Sequence, residues 1–216
     1  ISATGIDKSY NGNAIAAVTL GLSAGSGVQG SDASGLTFSY GTANFSSPNV
    51  AYSSGSVISQ AVSVAGISLG GSAAANYTFN TTASTSAVIN PAILTITAAA
   101  ANKAYDRTTA ATVTLSNNAI AGDAVLIAYT GATFADANVG TNKVVTIAGL
   151  SLSGASAANY TLNSVSSITS NANITPIALT ITATNDSKVY GGALTGSGLT
   201  YAASGGTASV TTSSNS

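Results

Sequence analysis

The chain has 216 residues, only 5% of them charged, with five Lys and Arg against six acids for a formal net charge of -1. That balance lacks the cationic cluster phosphate binding requires, so nucleic acid is not an expected partner. With zero Cys and zero His, a disulfide framework, thiolate metal sites and the commonest general base are excluded.

Low charge alone would suit disorder, but 45% of residues are hydrophobic and they recur with strand periodicity, so the chain is expected to fold. Residues 33–102 carry no charge at all. Ser, Thr, Asn and Gly nevertheless break every apolar run well short of the ~18 residues of a membrane helix. Neither membrane insertion nor a signal peptide is read in these residues. A typical soluble domain carries ~25% charge, and this deviation, with so few tryptic sites, points outside the cell.

From the first residue, the motif I-[S/T]-A-x4-K-x-Y runs over residues 1–10 and returns at 96–105 and 181–190. Its tyrosines are spaced by 95 residues (105 minus 10) and 85 residues (190 minus 105), close to the length of a small β-domain. Residues 143–162 (KVVTIAGLSLSGASAANYTL) are also a near copy of residues 60–79 (QAVSVAGISLGGSAAANYTF). Three modules are therefore expected, over 1–90, 91–175 and 176–216. The second and third open with P-A-I-L-T at Pro91 and P-I-A-L-T at Pro176, a lead-in the first does not show. The third is too short to bury a core by itself, and the chain reads as a window on a longer protein.

Within the second module, strand signals follow one another at Leu94–Thr97, Val113–Leu115, Val125–Tyr129, Val145–Ile147, Leu150–Leu152, Tyr160–Leu162 and Ile174. Apolar and small polar residues alternate at period two, and turn formers such as Asn117-Asn118 and Ala121-Gly122-Asp123 separate them. The expected fold is all-β, with tandem small antiparallel β-sandwich-like modules arranged as an extended rod. The Ala-rich patch 98–101 has helical propensity, yet its neighbours make strand the expectation.

Leu20 aligns with Leu115, Phe45 with Phe134 and Val62 with Val145, so the alignment offset falls from 95 (115 minus 20) to 83 (145 minus 62). The extra residues of the first module fall in loops at about 21–35 and 50–59. Surface loops absorb insertions cheaply, which makes these two the places to expect a specific partner.

Tyr10, Tyr105 and Tyr190 recur at one register, as do Tyr77 with Tyr160 and Tyr40 with Tyr129. Residues repeated in every module are expected to build that module's core or anchor a loop through the hydroxyl. A carbohydrate-binding array is the competing reading, and it requires exposed rings. The acids Asp7, Asp32, Asp106, Asp123, Asp136 and Asp186 lie far apart, without calcium-loop spacing, and turn capping is expected of Asp32 and Asp123. Lys8, Lys103 and Lys188 are expected to be solvated or to snorkel at module junctions. Asn44, Asn76, Asn80, Asn159, Asn173 and Asn185 form N-x-[S/T] sequons. No catalytic, cofactor-binding or metal-ligating residue is expected, and no enzyme activity; the binding residues are left unassigned.

K-A-Y-D-R-T-T-A-A-T-V-T-L at 103–115, A-G-D at 121–123, A-T-F-A-D-A-N-V-G at 132–140 and S-L-S-G-A-S-A-A-N-Y-T-L at 151–162 together resemble the YDG repeat. This repeat belongs to large secreted proteins of the filamentous haemagglutinin and adhesin class in Gram-negative bacteria. The first module is similar but diverged, with S-Y-N-G-N at Ser9, and the segment from Pro176 resembles the related MBG type. The resemblance implies a structural stalk or fibre segment of a secreted bacterial cell-surface adhesin, without cofactors. Its expected partners are neighbouring modules of the same chain, other copies in a fibre, and host or surface glycans. The alternative is a self-assembling extracellular filament joined by β-strand addition.

Overall fold

The computed structural model describes residues 1–163, 167–183 and 199–202. The expectation of an all-β chain is met: helical turns are confined, among the described residues, to the short 3-10 segments Gly30–Gly35, Ala74–Asn76 and Ala157–Asn159. Ala98 to Ala100 of the Ala-rich patch lie in the strand Ile96–Ala100, where β neighbours prevail over propensity. Contacts divide the chain into two compact units that cross the repeat register. One holds Ile1–Thr97, Ser116–Ala128 and Leu150–Val165, and the other Ala98–Leu115, Tyr129–Gly149 and Ser166–Ser216.

The first unit is built on the three-stranded antiparallel sheet of Thr42–Phe45, Gln60–Ala65 and Thr82–Ala87, with Gln60–Ala65 in the middle. The central strand alternates strictly, turning Gln60, Val62 and Val64 inward. Val62 and Val64 are fully buried, each contributing roughly 1.5–3 kcal/mol of hydrophobic stabilisation. Ser2–Ile6 pairs with Ala17–Gly21, and Thr37–Ser39 with Ser68–Gly70. From the second repeat, the same unit takes Leu126–Ala128 paired with Ser151–Ser153, and Ala92–Leu94 paired with Tyr160–Leu162.

The second unit carries a four-stranded sheet in the order Lys103–Ala104, Ser167–Thr175, Gly140–Ala148, Gly131–Phe134. Val145 and Ile147 of Gly140–Ala148 are fully buried, with Ile174 and Phe134 beside them in the core. Register slips between Gly140 and Lys143, where Asn142 takes φ 52°. Asn tolerates that left-handed conformation, and the Asn173 side chain accepts the Asn142 N–H at 2.7 Å. Thr180–Ala183 pairs with Leu199–Ala202. The remainder of the expected third module, with Asp186, Lys188, Tyr190 and the Asn185 sequon, lies outside the described residues.

Among the described residues, three short pairs are parallel rather than antiparallel: Lys8–Ser9 with Ile89–Asn90, Ala92–Leu94 with Tyr160–Leu162, and Lys103–Ala104 with Ser167–Thr175. Alternation within one strand does not encode the direction of its neighbour, so sequence periodicity gave no sign of them.

Candidate functional site

Each repeat builds one loop around a lysine ammonium. Lys8 Nζ donates to Asn11 Oδ1 at 2.9 Å, to the Asn13 carbonyl at 2.6 Å and to the Ile15 carbonyl at 2.9 Å. Lys103 Nζ does the same to Asp106 Oδ1 at 2.8 Å, the Thr108 carbonyl at 2.8 Å and the Ala110 carbonyl at 2.9 Å. Each ammonium also stands over an aromatic ring, Phe45 at 5.4 Å and Phe134 at 5.5 Å. These lysines are therefore hubs of a turn, where solvated or snorkelling side chains were expected. The ammonium has found carbonyl acceptors, which leave no mark in a sequence. Burial lowers the pKa of Lys8, while Lys103 and the Thr108 N–H and hydroxyl pull the Asp106 carboxyl down to about 2.

A second loop sits beside the first in each repeat. In the first, Gln60 Nε2 donates to the Asn49 carbonyl at 2.6 Å and Ser47 Oγ accepts the Asn49 N–H at 3.1 Å. In the second, Lys143 replaces Gln60 and pairs with Asp136 at 2.6 Å, whose carboxylate accepts the Asn138 N–H at 2.8 Å. The lysine hydrogen bond, followed by that N–H, lowers the Asp136 pKa.

At the A-A-N-Y segments, a tyrosine hydroxyl anchors a long loop, as expected for these recurring rings. Tyr77 Oη accepts the Gln29 N–H at 3.1 Å and donates to Asp32 at 2.8 Å. Tyr160 Oη accepts the Ile120 N–H at 2.9 Å and donates to Asp123. In both loops the aspartate N–H returns to the carbonyl three residues earlier, Gln29 or Ile120, at 3.0 Å. Asp32 and Asp123 thus occupy the same turn, but their carboxylates accept tyrosine hydroxyls where capping of the turn's backbone was expected.

The two kinds of loop meet where the repeats join. Tyr10 is buried, its ring edge-to-face on Tyr160 with centroids 5.5 Å apart, and its hydroxyl donates to Asp123 at 3.1 Å. Asn159, also buried, accepts the Val50 N–H at 2.9 Å and donates to Asn49 Oδ1 at 3.0 Å. Tyr52, on the extra residues of the first repeat, donates to the Ala158 carbonyl at 2.9 Å. One of the two loops expected to meet a partner therefore meets the second repeat. Burial first, then the Asp123 carboxylate, raises the Tyr10 pKa and pushes Tyr160 up to about 12. Both hydroxyls stay protonated and donating across the neutral range.

The remaining candidates have structural positions. Asp7 accepts the Val88 N–H at 2.7 Å. Tyr40 Oη accepts the Val18 N–H at 3.5 Å, Tyr105 is half-buried and Tyr129 is exposed. Facing each other, the buried rings of Tyr10 and Tyr160 offer no open platform to a sugar. The burial of Asn159 likewise withholds that sequon from modification. Among the described residues, no three His, Cys, Asp or Glu side chains gather to hold a metal, and no helix is long and apolar enough to cross a membrane.

The geometry defines a class: a tandem all-β protein whose repeats are joined through a tyrosine loop on one and an aspartate turn on the next. The YDG domain matches twice, over residues 1–86 and 90–169, and the chain belongs to the YDG domain family. No curated protein and no solved structure matches it.

Proposed function

We propose that this chain is a non-enzymatic structural segment, a stalk or fibre, of a secreted bacterial cell-surface adhesin, with its modules set end to end as a rod. The observation that carries the reading is the junction itself. Side chains that recur in both repeats are consumed in tying loops together, as with Lys8 and Lys103, or in joining one repeat to the next, as with Tyr10 and Asp123. Such a construction supplies reach and rigidity, and resistance to proteolysis follows from tied loops and rare basic cleavage sites. Low charge suits an extracellular surface, and binding to host or surface glycans would fall to other parts of the parent protein.

The test is immunogold labelling of the native full-length protein on intact cells, with antibodies raised against this chain. Label on the exterior, along thin rods that lengthen with module number, is the expected result. Label confined to the cell interior, or globular particles in place of rods, would overturn the proposal.

A further inference from the structure

The two lysine loops diverge at the residue whose side chain holds the ammonium. Asp106-Arg107 in the second repeat stands where the first has Asn11-Gly12, the only Asn-Gly pair in the sequence. Asp106 Oδ1 accepts Lys103 Nζ at 2.8 Å and the Thr108 N–H at 2.9 Å. Asn11 Oδ1 accepts the equivalent two donors, Lys8 Nζ at 2.9 Å and the Asn13 N–H at 3.4 Å. The second repeat therefore shows that the frame of this loop accommodates a carboxylate at the position where the first carries a carboxamide.

An asparagine followed by glycine can react with its own main chain. Glycine lacks the Cβ that would hinder its nitrogen from swinging onto the carboxamide carbon of the residue before it. Asn11 and Gly12 are both exposed, so water reaches them, and among the described residues no hydrogen bond engages the Gly12 N–H. During such an attack negative charge gathers on the carboxamide oxygen. That oxygen is the atom on which Lys8 Nζ and the Asn13 N–H converge, the arrangement of an oxyanion hole. Asn13 and Asn102 lack the glycine, being followed by Ala14 and Lys103.

We propose that Asn11 is a self-modification site, converted to aspartate after synthesis by the Gly12 nitrogen with Lys8 holding the reacting oxygen. The Gly12 nitrogen bonds to Asn11 Cγ, the Cγ–Nδ2 bond breaks, and the Gly12 amide proton leaves with Nδ2 as ammonia. The five-membered imide that results has two carbonyls. Water adding at the main-chain carbonyl would give isoaspartate, and water adding at Cγ gives aspartate. Lys8 and the Asn13 N–H stand on the Cγ oxygen, so the hydroxyl adds there, the Cγ–nitrogen bond breaks and the Gly12 nitrogen regains its proton. The new carboxylate rests on Lys8 as Asp106 rests on Lys103, which gives both repeats the same hub and the chain one more negative charge. Neither enzyme nor cofactor takes part, and the inference is independent of the surface-adhesin reading.

The test incubates the freshly purified full chain in mildly alkaline buffer, beside a synthetic peptide of residues 7–16 in which no fold holds Lys8 on Asn11. Mass spectrometry with electron-based fragmentation then reads each asparagine and tells aspartate from isoaspartate. The mass at Asn11 should rise by the difference between water and ammonia while Asn13 and Asn102 stay intact. Aspartate should be the main product in the chain and isoaspartate in the peptide, where the unassisted main-chain carbonyl is the more reactive. Gly12→Ala, whose Cβ would meet Ile120 at an ordinary 3.5 Å, should slow the conversion about tenfold. Lys8→Met should cut the ratio of aspartate to isoaspartate about tenfold, less than the loss of such a donor costs in a dry site because this loop is exposed. Circular dichroism checks that both variants keep their fold, and if Lys8→Met does not, the comparison of chain with peptide decides. An Asn11 that stays intact while the peptide converts, isoaspartate as the main product in the folded chain, a Gly12→Ala chain that converts as fast as the parent, or a folded Lys8→Met chain with the parent's product ratio would each overturn the inference.

Discussion

Tyr77 and Tyr160 are twins in sequence, in hydrogen bonding and in the turn they hold, yet only Tyr160 is buried. Next to them, Asn76 is exposed while Asn159 is 5% exposed and holds two partners on the first repeat. Local construction is thus set by the repeat itself, whereas burial is set by what docks upon it. Buried area scales with energy, so the twins should differ in stability while their turns remain alike.

Truncation of the tyrosines should separate the twins most. Tyr160→Ala removes a buried ring, strips the Ile120 N–H of its acceptor and leaves Asp123 with Tyr10 alone, a loss of about 3–5 kcal/mol. Tyr77→Ala starts from a half-buried ring and should cost about half as much. Urea unfolding measures both, and equal losses would break the comparison. The asparagines form a smaller test of the same kind. Asn159→Ala strips Val50 of a buried acceptor and should cost about 1–3 kcal/mol, against roughly ±0.5 kcal/mol for the exposed Asn76→Ala.

Glycine pairs sharpen the other half of the comparison. Gly71 and Gly154 both take positive φ, 106° and 103°, and a Cβ on either would overlap a backbone carbonyl, that of Gly35 or Ala124. Alanine at either should cost about 1–3 kcal/mol, in similar amounts, because the strain is local and does not depend on docking. Thermal unfolding of the two variants checks it, and a large difference between them would show that the turns are not equivalent.

Alkaline titration reaches the junction through Tyr160. Its folded pKa of about 12 lies above the ordinary value near 10, so the stability it contributes is whole below pH 10 and is lost as pH rises toward 12. Stability measured across that window should fall, and Tyr160→Phe should fall less steeply.

Much of this was legible in the residues. Strand spans, repeat register and loop insertions follow from period-two alternation and from the shrinking offset between Leu20–Leu115 and Val62–Val145. Tyrosine as loop anchor was legible because the hydroxyl recurs beside an Asn-rich turn. The partner of Tyr10 was not: Asp123 lies 113 positions away, and no spacing rule links residues joined only by docking. Lys8 and Lys103 escaped for a different reason. Most of their acceptors are main-chain carbonyls, which every residue type carries.

The smallest expected effect divides the lysine loops. Asn11 in the first repeat holds the Lys8 ammonium as Asp106 in the second holds that of Lys103, but only Asp106 can take up a proton. Its folded pKa of about 2 lies below the ordinary carboxylate value of 3.8, so its contribution to stability is present above pH 4 and lost as pH falls toward 2. The carboxylate is at the surface, so solvent screens the pair and the loss should be local instead of global. The Thr108 N–H, which Asp106 accepts at 2.9 Å, should lose hydrogen-exchange protection over that window, while the Asn13 N–H on Asn11 keeps its own. Asp106→Asn should abolish the difference by making the second loop titrate like the first, and equal acid loosening of both loops in the parent chain would refute the assignment.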